Sequence, residues 1–173
     1  VSKLGAMGFS FDAWLFHPQL PELADLAGAV PGVTVVLNHL GAPMGIGPYR
    51  DRRDEVRSAW QASMREVAAK PNVVLKVGGI GMCQYYGMDW HEHPTPPRSD
   101  AVAAYWGDDV RWCIDLFGPA RCMFESNFPV DRQSLPYPVL WNALQIMAAD
   151  YSEAEQSELF AGTAERVYRI EDV

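Results

Sequence analysis

His39, Lys76, Glu125 and Asn127 are the side chains whose types and placement could do chemistry. They lie near the ends of three apolar runs that each close on Gly or Pro: VTVVLNHLG (Val33–Gly41), NVVLKVGG (Asn72–Gly79) and RCMFESNFP (Arg121–Pro129). An imidazole can relay a proton or ligate a metal, and a carboxylate can accept a proton. Glu125 and Asn127 are two residues apart, so in an extended strand they project to one side. If that side is an interior, Glu125 is a candidate proton acceptor. The amide of Asn127 can orient a water or a carbonyl, but at neutral pH it cannot take a proton. Lys76 alternates with Val74 and Gly78. An interior lysine needs a paired carboxylate or an anionic substrate, and Glu125 is its expected partner.

Further candidates lie outside these runs. His17 (LFHPQL) follows an apolar stretch and could line the same mouth. Trp90-His91-Glu92-His93 places two histidines at i and i+2, a spacing that holds a metal only on an extended scaffold, and the prolines at 94, 96 and 97 make this a loop. Within that loop Tyr85, Tyr86, Met88 and Trp90 form an expected lid, and Arg98 could meet a substrate carboxylate with two hydrogen bonds. Tyr49 and Arg50, just after the His39 run, are open to either a substrate or a surface role. Asp131, beyond Pro129, reads as an exposed cap or a partner of Arg132. Asp12 reads as an interior carboxylate bonded to backbone.

The elements that must position these residues alternate strand and helix. Phe9–Phe16 is apolar and aromatic, and Leu20, Leu23, Ala24, Ala27 and Val30 follow at helical spacing. Val56, Trp60, Met64 and Val67 mark a second helix, which Pro71 stops. Val102, Trp106, Val110, Ile114 and Phe117 mark a third, closed by Gly118-Pro119. Val139, Ala143 and Met147 mark a fourth, and Ser152 with Glu155 forms a capping box for a last one. Near-continuous Val and Leu runs separated by helices indicate parallel strands covered by helices, with ligands at the strands' carboxyl ends. Four βα units in a row suit an open sheet or part of a closed eight-stranded barrel, which usually takes about 250 residues. The 173 residues read as a single domain, 1–173, with apolar content of 49%, enough for a sizeable core. In a half-barrel both edge strands would be bare, so self-association is expected.

A net charge of -8 argues against nucleic-acid and anionic-membrane partners. Three cysteines without a CxxC pair suggest neither a disulfide framework nor a zinc ribbon, and a reducing cytoplasm is the expected compartment. No apolar run approaches the roughly 20 residues of a membrane span. VSKLGAMG resembles the tail of a preceding helix, which suggests a chain cut from something longer.

FDAWLFHPQLPELADLA, VVLNHLGAP with GIGPYRDRRDEV, NVVLKVGGIGM, RCMFESNFPVD and FAGTAERVYRI together resemble the carboxyl-terminal half of the amidohydrolase-related family. These are TIM-barrel metal-dependent hydrolases that include sugar-lactone and 2-pyrone-4,6-dicarboxylate lactonases. The resemblance implies a (β/α)8 barrel of which about the last four βα units are present. It implies that His39, at the mouth of the sixth barrel strand, is a metal ligand or substrate contact, with one divalent metal, zinc foremost, in a site this chain leaves incomplete. Many relatives carry S-D-[WF]-P after the last strand with the Asp as base or ligand, whereas this chain has Ser126-Asn127-Phe128-Pro129. The first-strand HxH pair is absent. The expected function is therefore lactone or related carbonyl hydrolysis, with His39, Asn127 and Glu125 catalytic and His17, Lys76, Trp90 and Arg98 contacting a small-molecule substrate. The alternatives are a catalytically silent half-barrel acting as a binding or assembly module, and a metal-dependent decarboxylase of the same superfamily.

Overall fold

The computed structural model describes residues 1–170. A short helix α1 (Ser2–Ala6) leads into β1 (Phe11–Ala13), α2 (Leu20–Ala29), β2 (Val35–Leu37), α3 (Arg53–Ala68) and β3 (Val73–Val77). Then come α4 (Cys83–Tyr86), α5 (Ser99–Phe117), β4 (Cys122–Phe124), α6 (Tyr137–Ala148), α7 (Glu153–Ser157) and α8 (Thr163–Tyr168). The four strands form one parallel sheet in the order β1-β2-β3-β4. The strands are shorter than their apolar runs, because each run continues into the turn that carries its polar residue.

The sheet's two faces differ. Val35, Leu37, Val73, Leu75, Val77, Cys122 and Phe124 join the main core with the apolar faces of α2, α3, α5 and α6. The stripes read from periodicity supply those faces: Trp60, Met64 and Val67 of α3, and Val102, Val110 and Ile114 of α5, are buried. The opposite face holds a small cluster of Val36, Val74 and Met123, covered by Ala164, Val167 and Tyr168 of the α8 region. The strands run in sequential order and their connecting helices α2, α3 and α5 gather on one face, whereas α8, which follows the last strand, packs on the other.

Two side chains anchor the amino-terminal ends of the strands. Asn72 Nδ2 donates to the carbonyls of Ala27, Val30 and Val33, tying the end of α2 to the start of β3. Arg121 donates through Nη1 to Ala68 and Lys70 and through Nε to Phe117, gathering the ends of α3 and α5 beneath β4. The Ser152–Glu155 capping box forms as read from the sequence, and the chain then passes through a π-helical turn, Glu158–Gly162. Phe160 in that turn packs on Phe124 while α8 covers the other face, so the segment flanks the edge strand β4 on both sides. Among the described residues no helix is long and apolar enough to cross a membrane.

Candidate active site

β2 ends at Leu37, and the chain turns sharply through His39, Leu40 and Ala42, all with positive φ. Non-glycine residues in this region are strained and persist only where the surroundings enforce them. The Trp60 indole N–H donates to the Leu40 carbonyl at 2.7 Å, and the Tyr86 hydroxyl donates to the His39 carbonyl at 3.2 Å, which hold the turn from two sides. Burial, with Asp131 and Glu125 nearby, pushes the Tyr86 phenol well above its usual range, so it stays a donor. The turn presents the His39 ring to β4. Its Nδ1 lies 2.5 Å from Glu125 Oε1, and both side chains are mostly shielded from water. Glu125 accepts the Nδ1 proton, which fixes the tautomer and leaves Nε2 free to take a proton.

The glycines after β3 make this approach possible. A Cβ on Gly79, at φ +66, would stand 2.8 Å from the His39 ring, and one on Gly78 would run into Cγ of Glu125. The next glycine, Gly81, donates its N–H to Asp131 Oδ2 at 2.9 Å.

Asp131 departs most from the sequence reading. It is fully buried instead of capping a surface loop: Oδ2 accepts from Gly81, and Oδ1 accepts from Asn127 Nδ2 at 2.8 Å. Burial pushes its carboxyl up to about 6, against those two hydrogen bonds and the nearby His39. Asn127 also has positive φ, and its amide is oriented by Asp131 so that its oxygen stays free to accept. Phe128–Pro129, which follows, is cis. His39, Glu125, Asn127 and Asp131 thus form one polar group at the carboxyl ends of β2, β3 and β4. Trp14, half exposed after β1, sets its ring edge-on to His39 at 6.4 Å and to Tyr85 at 6.0 Å, an aromatic wall beside the imidazole.

The other predicted residues lie elsewhere. Lys76 pairs with Asp12 at 2.7 Å and not with Glu125, and the Tyr168 hydroxyl donates to the same Asp12 oxygen. Asp12 is therefore exposed and held by side chains, not a buried group held by backbone. His17 is buried, accepts from the Met44 N–H at Nδ1 and stacks edge-on against Tyr49 at 4.9 Å; burial lowers its pKa, and it props the loop after β2. Trp90 packs on Tyr105, and Arg98 sits in solvent beside Asp100. His91 and His93 face Glu92 and Asp89 separately. Of the expected lid, Tyr86 and Met88 belong to the core. Trp14 escaped the sequence reading, which also took Asp131 for a surface cap and Tyr86 for part of a lid; the close glycine spacing of Gly78, Gly79 and Gly81 was the one local signal of side chains crowding that turn.

A divalent ion at a catalytic site takes about three protein ligands. Among the described residues no three His, Cys, Asp or Glu side chains gather as such a set. Of these side chains only Glu125 meets His39 directly, so the residues present do not by themselves fit the ion, whose remaining donors would have to come from elsewhere.

A parallel α/β sheet with a polar group at its strand tips is the plan of a strand-end enzyme. The sequence profile of the family described as Amidohydrolase matches residues 1–170, and the chain belongs to that family. It is 33% identical over 97% of its length to the uncharacterized protein y4mH of Sinorhizobium fredii, covering 50% of that protein. It is 30% identical over 98% of its length to an L-fucono-1,5-lactonase of Burkholderia multivorans, covering 54% of it. A crystal structure of an amidohydrolase from Burkholderia multivorans with bound zinc superposes with a TM-score of 0.83 at 29% identity, over 98% of this chain and 56% of that one. The chain spans about half the length of the curated relatives it matches.

Proposed function

We propose that this chain contributes the strand-end site of a lactone hydrolase, in an assembly whose further strands close a (β/α)8 barrel. The observation that carries the reading is the His39–Glu125 pair. A water near His39 Nε2 gives up a proton as it attacks the lactone carbonyl carbon, while Glu125 holds the imidazolium that forms. The tetrahedral intermediate then expels its ring oxygen, the C–O bond breaks, and His39 returns the proton to the alkoxide. The product is the open hydroxy acid. The Asn127 carbonyl oxygen orients the water, and Trp14 with Tyr85 offers an aromatic wall to the substrate ring. Membership of the amidohydrolase family and the lactonase names of its relatives support the substrate class.

A second reading, a silent binding or assembly module, draws support from Asn127 where many relatives carry an acid. One experiment separates the two: titrate proton release from L-fucono-1,5-lactone, other aldonolactones and pyrone lactones with the purified protein, and repeat with His39→Ala. Turnover that the substitution abolishes is expected. Turnover indifferent to His39 would remove the His39–Glu125 mechanism, and no turnover on any lactone would favour the module. Self-association through the β1 edge belongs to the same proposal, and native mass spectrometry that finds only monomer would count against it.

A further inference from the structure

α4 is four residues long, too short to hold itself as a helix, so its place is set by what it is tied to. Both of its ends are tied to the strand tips. Just before its start, Gly81 is gripped through both backbone polar groups: the N–H donates to Asp131 Oδ2 at 2.9 Å, and the carbonyl accepts from Ser134 Oγ at 2.5 Å. Asp131 and Ser134 are buried in the turn that follows β4. At its other end the Tyr86 hydroxyl donates to the His39 carbonyl at 3.2 Å, and the Tyr85 carbonyl accepts from the Gly45 N–H at 2.8 Å. Gly45 and Gly87 allow that second contact, since a Cβ on either would run into the backbone of the other segment. α4 therefore joins the turn that orients Asn127 to the turn that carries His39.

That connection matters most at His39. His39, Leu40 and Ala42 all have positive φ, and non-glycine residues persist there only where the surroundings over-determine them. The Tyr86 hydroxyl is one of those determinants. Its direction is fixed, because the ring is buried and stands edge-on to Trp106 at 5.1 Å. If α4 shifts, the hydroxyl shifts with it, the turn relaxes, and the imidazole leaves Glu125. The geometry points to α4 as a brace between the tips of β4 and β2, with Ser134 and Tyr86 as positioning residues that keep the His39 ring on Glu125. The consequence for turnover rests on the hydrolase reading above, whereas the placement of the ring does not.

The test is nitrogen-15 magnetic resonance of the histidine side chains in the purified protein at about pH 8, where a free imidazole is neutral. The His39 signals are assigned by their loss in His39→Ala. In the parent, Glu125 holds the proton on Nδ1 and a single tautomer is expected. Tyr86→Phe removes one hydroxyl and keeps the ring, and Ser134→Ala unties the Gly81 carbonyl at the opposite end of α4. Each should mix the two tautomers and draw the two nitrogen shifts together. Leu144→Ala, on α6, is the control: it opens a void in the core and lowers stability, but should leave the His39 shifts as in the parent. Where a lactone is turned over, both positioning variants should lower kcat about ten-fold with little change in KM, the effect of one hydrogen bond. The proposal is overturned if Tyr86→Phe or Ser134→Ala leaves the His39 nitrogens unchanged, or if Leu144→Ala moves them as far. Should one variant fail to fold, the other decides, and a protein that hydrolyses no lactone still yields the nitrogen shifts.

Discussion

Glu125 Oε1 and His39 Nδ1 meet at 2.5 Å across 86 residues of sequence, one from the end of β4 and the other from the strained turn after β2. β3 lies between those strands, and the contact closes over its end only because Gly78 and Gly79 leave room for the carboxylate and the ring. An imidazole held this way has one nitrogen committed and one free, the arrangement a general base needs.

Removing the carboxylate should therefore cost turnover more than binding. Glu125→Gln keeps the shape but cannot hold the imidazolium, and a fall in kcat of about 100-fold with little change in KM is expected for lactone hydrolysis. Steady-state kinetics checks it; a change confined to KM would assign Glu125 to substrate contact instead.

Gly79→Ala should disturb the same contact from below. The added methyl meets the His39 ring, and φ of +66 is unfavourable for alanine, so a loss of about 2–4 kcal/mol in unfolding free energy is expected. Denaturant unfolding measures it. A variant as stable as the parent would show that the ring swings aside freely.

Asp131 gives the protein an uncommon acid response. Its folded-state carboxyl is raised to about 6, above the ordinary 3.8, so between those values the native state holds a proton that the unfolded state has lost. Its contribution to stability therefore falls as pH rises through that window, by up to about 3 kcal/mol. Asp131→Asn removes the titration, but it also turns an amide donor toward the Gly81 or Asn127 donor, at a cost of about 1–3 kcal/mol. The gap between parent and variant should narrow as the buffer goes from about pH 4 to pH 7. Parallel urea titrations at the two ends test this; a constant gap would contradict a buried, titrating Asp131.

Lys76 should show itself at the alkaline end. Burial alone would lower its pKa, but the hydrogen bonds with Asp12 and Tyr168 outweigh it and the net shift is upward. A raised folded pKa means the contribution is complete below the unfolded value of 10.5 and is lost as pH climbs through the folded one. Lys76→Met should cost about 1 kcal/mol or less at neutral pH, because the pair is partly exposed, and the cost should vanish in strong alkali. Thermal melts across that range give the measurement.

Much of this was legible in the letters. The apolar runs around Val35, Val73 and Met123 and the stripes of Trp60, Val110 and Ala143 follow periods of local geometry, which any chain of that pattern must obey. Strand-end positions for His39 and Glu125 follow from where those runs meet Gly and Pro. Asp131 illustrates what was not legible: its neighbour Arg132 made a surface pair look natural, whereas the fold delivers Gly81, 50 residues away, to accept its burial. Lys76 likewise had two carboxylates to choose from, and strand register gave it to Asp12.

The sequence by itself determined the alternation of strands and helices, which residues face the core, and which polar groups stand at strand tips, because those depend on periodicity and on the backbone freedom of glycine and proline. Only the tertiary structure decided who touches whom: that His39 rests on Glu125, that Asn127 leans on Asp131, and that His17 is a prop beneath a loop. Hydrogen bonds and burial between distant segments depend on angstrom-scale placement of packed elements, and no local pattern of residues encodes that distance.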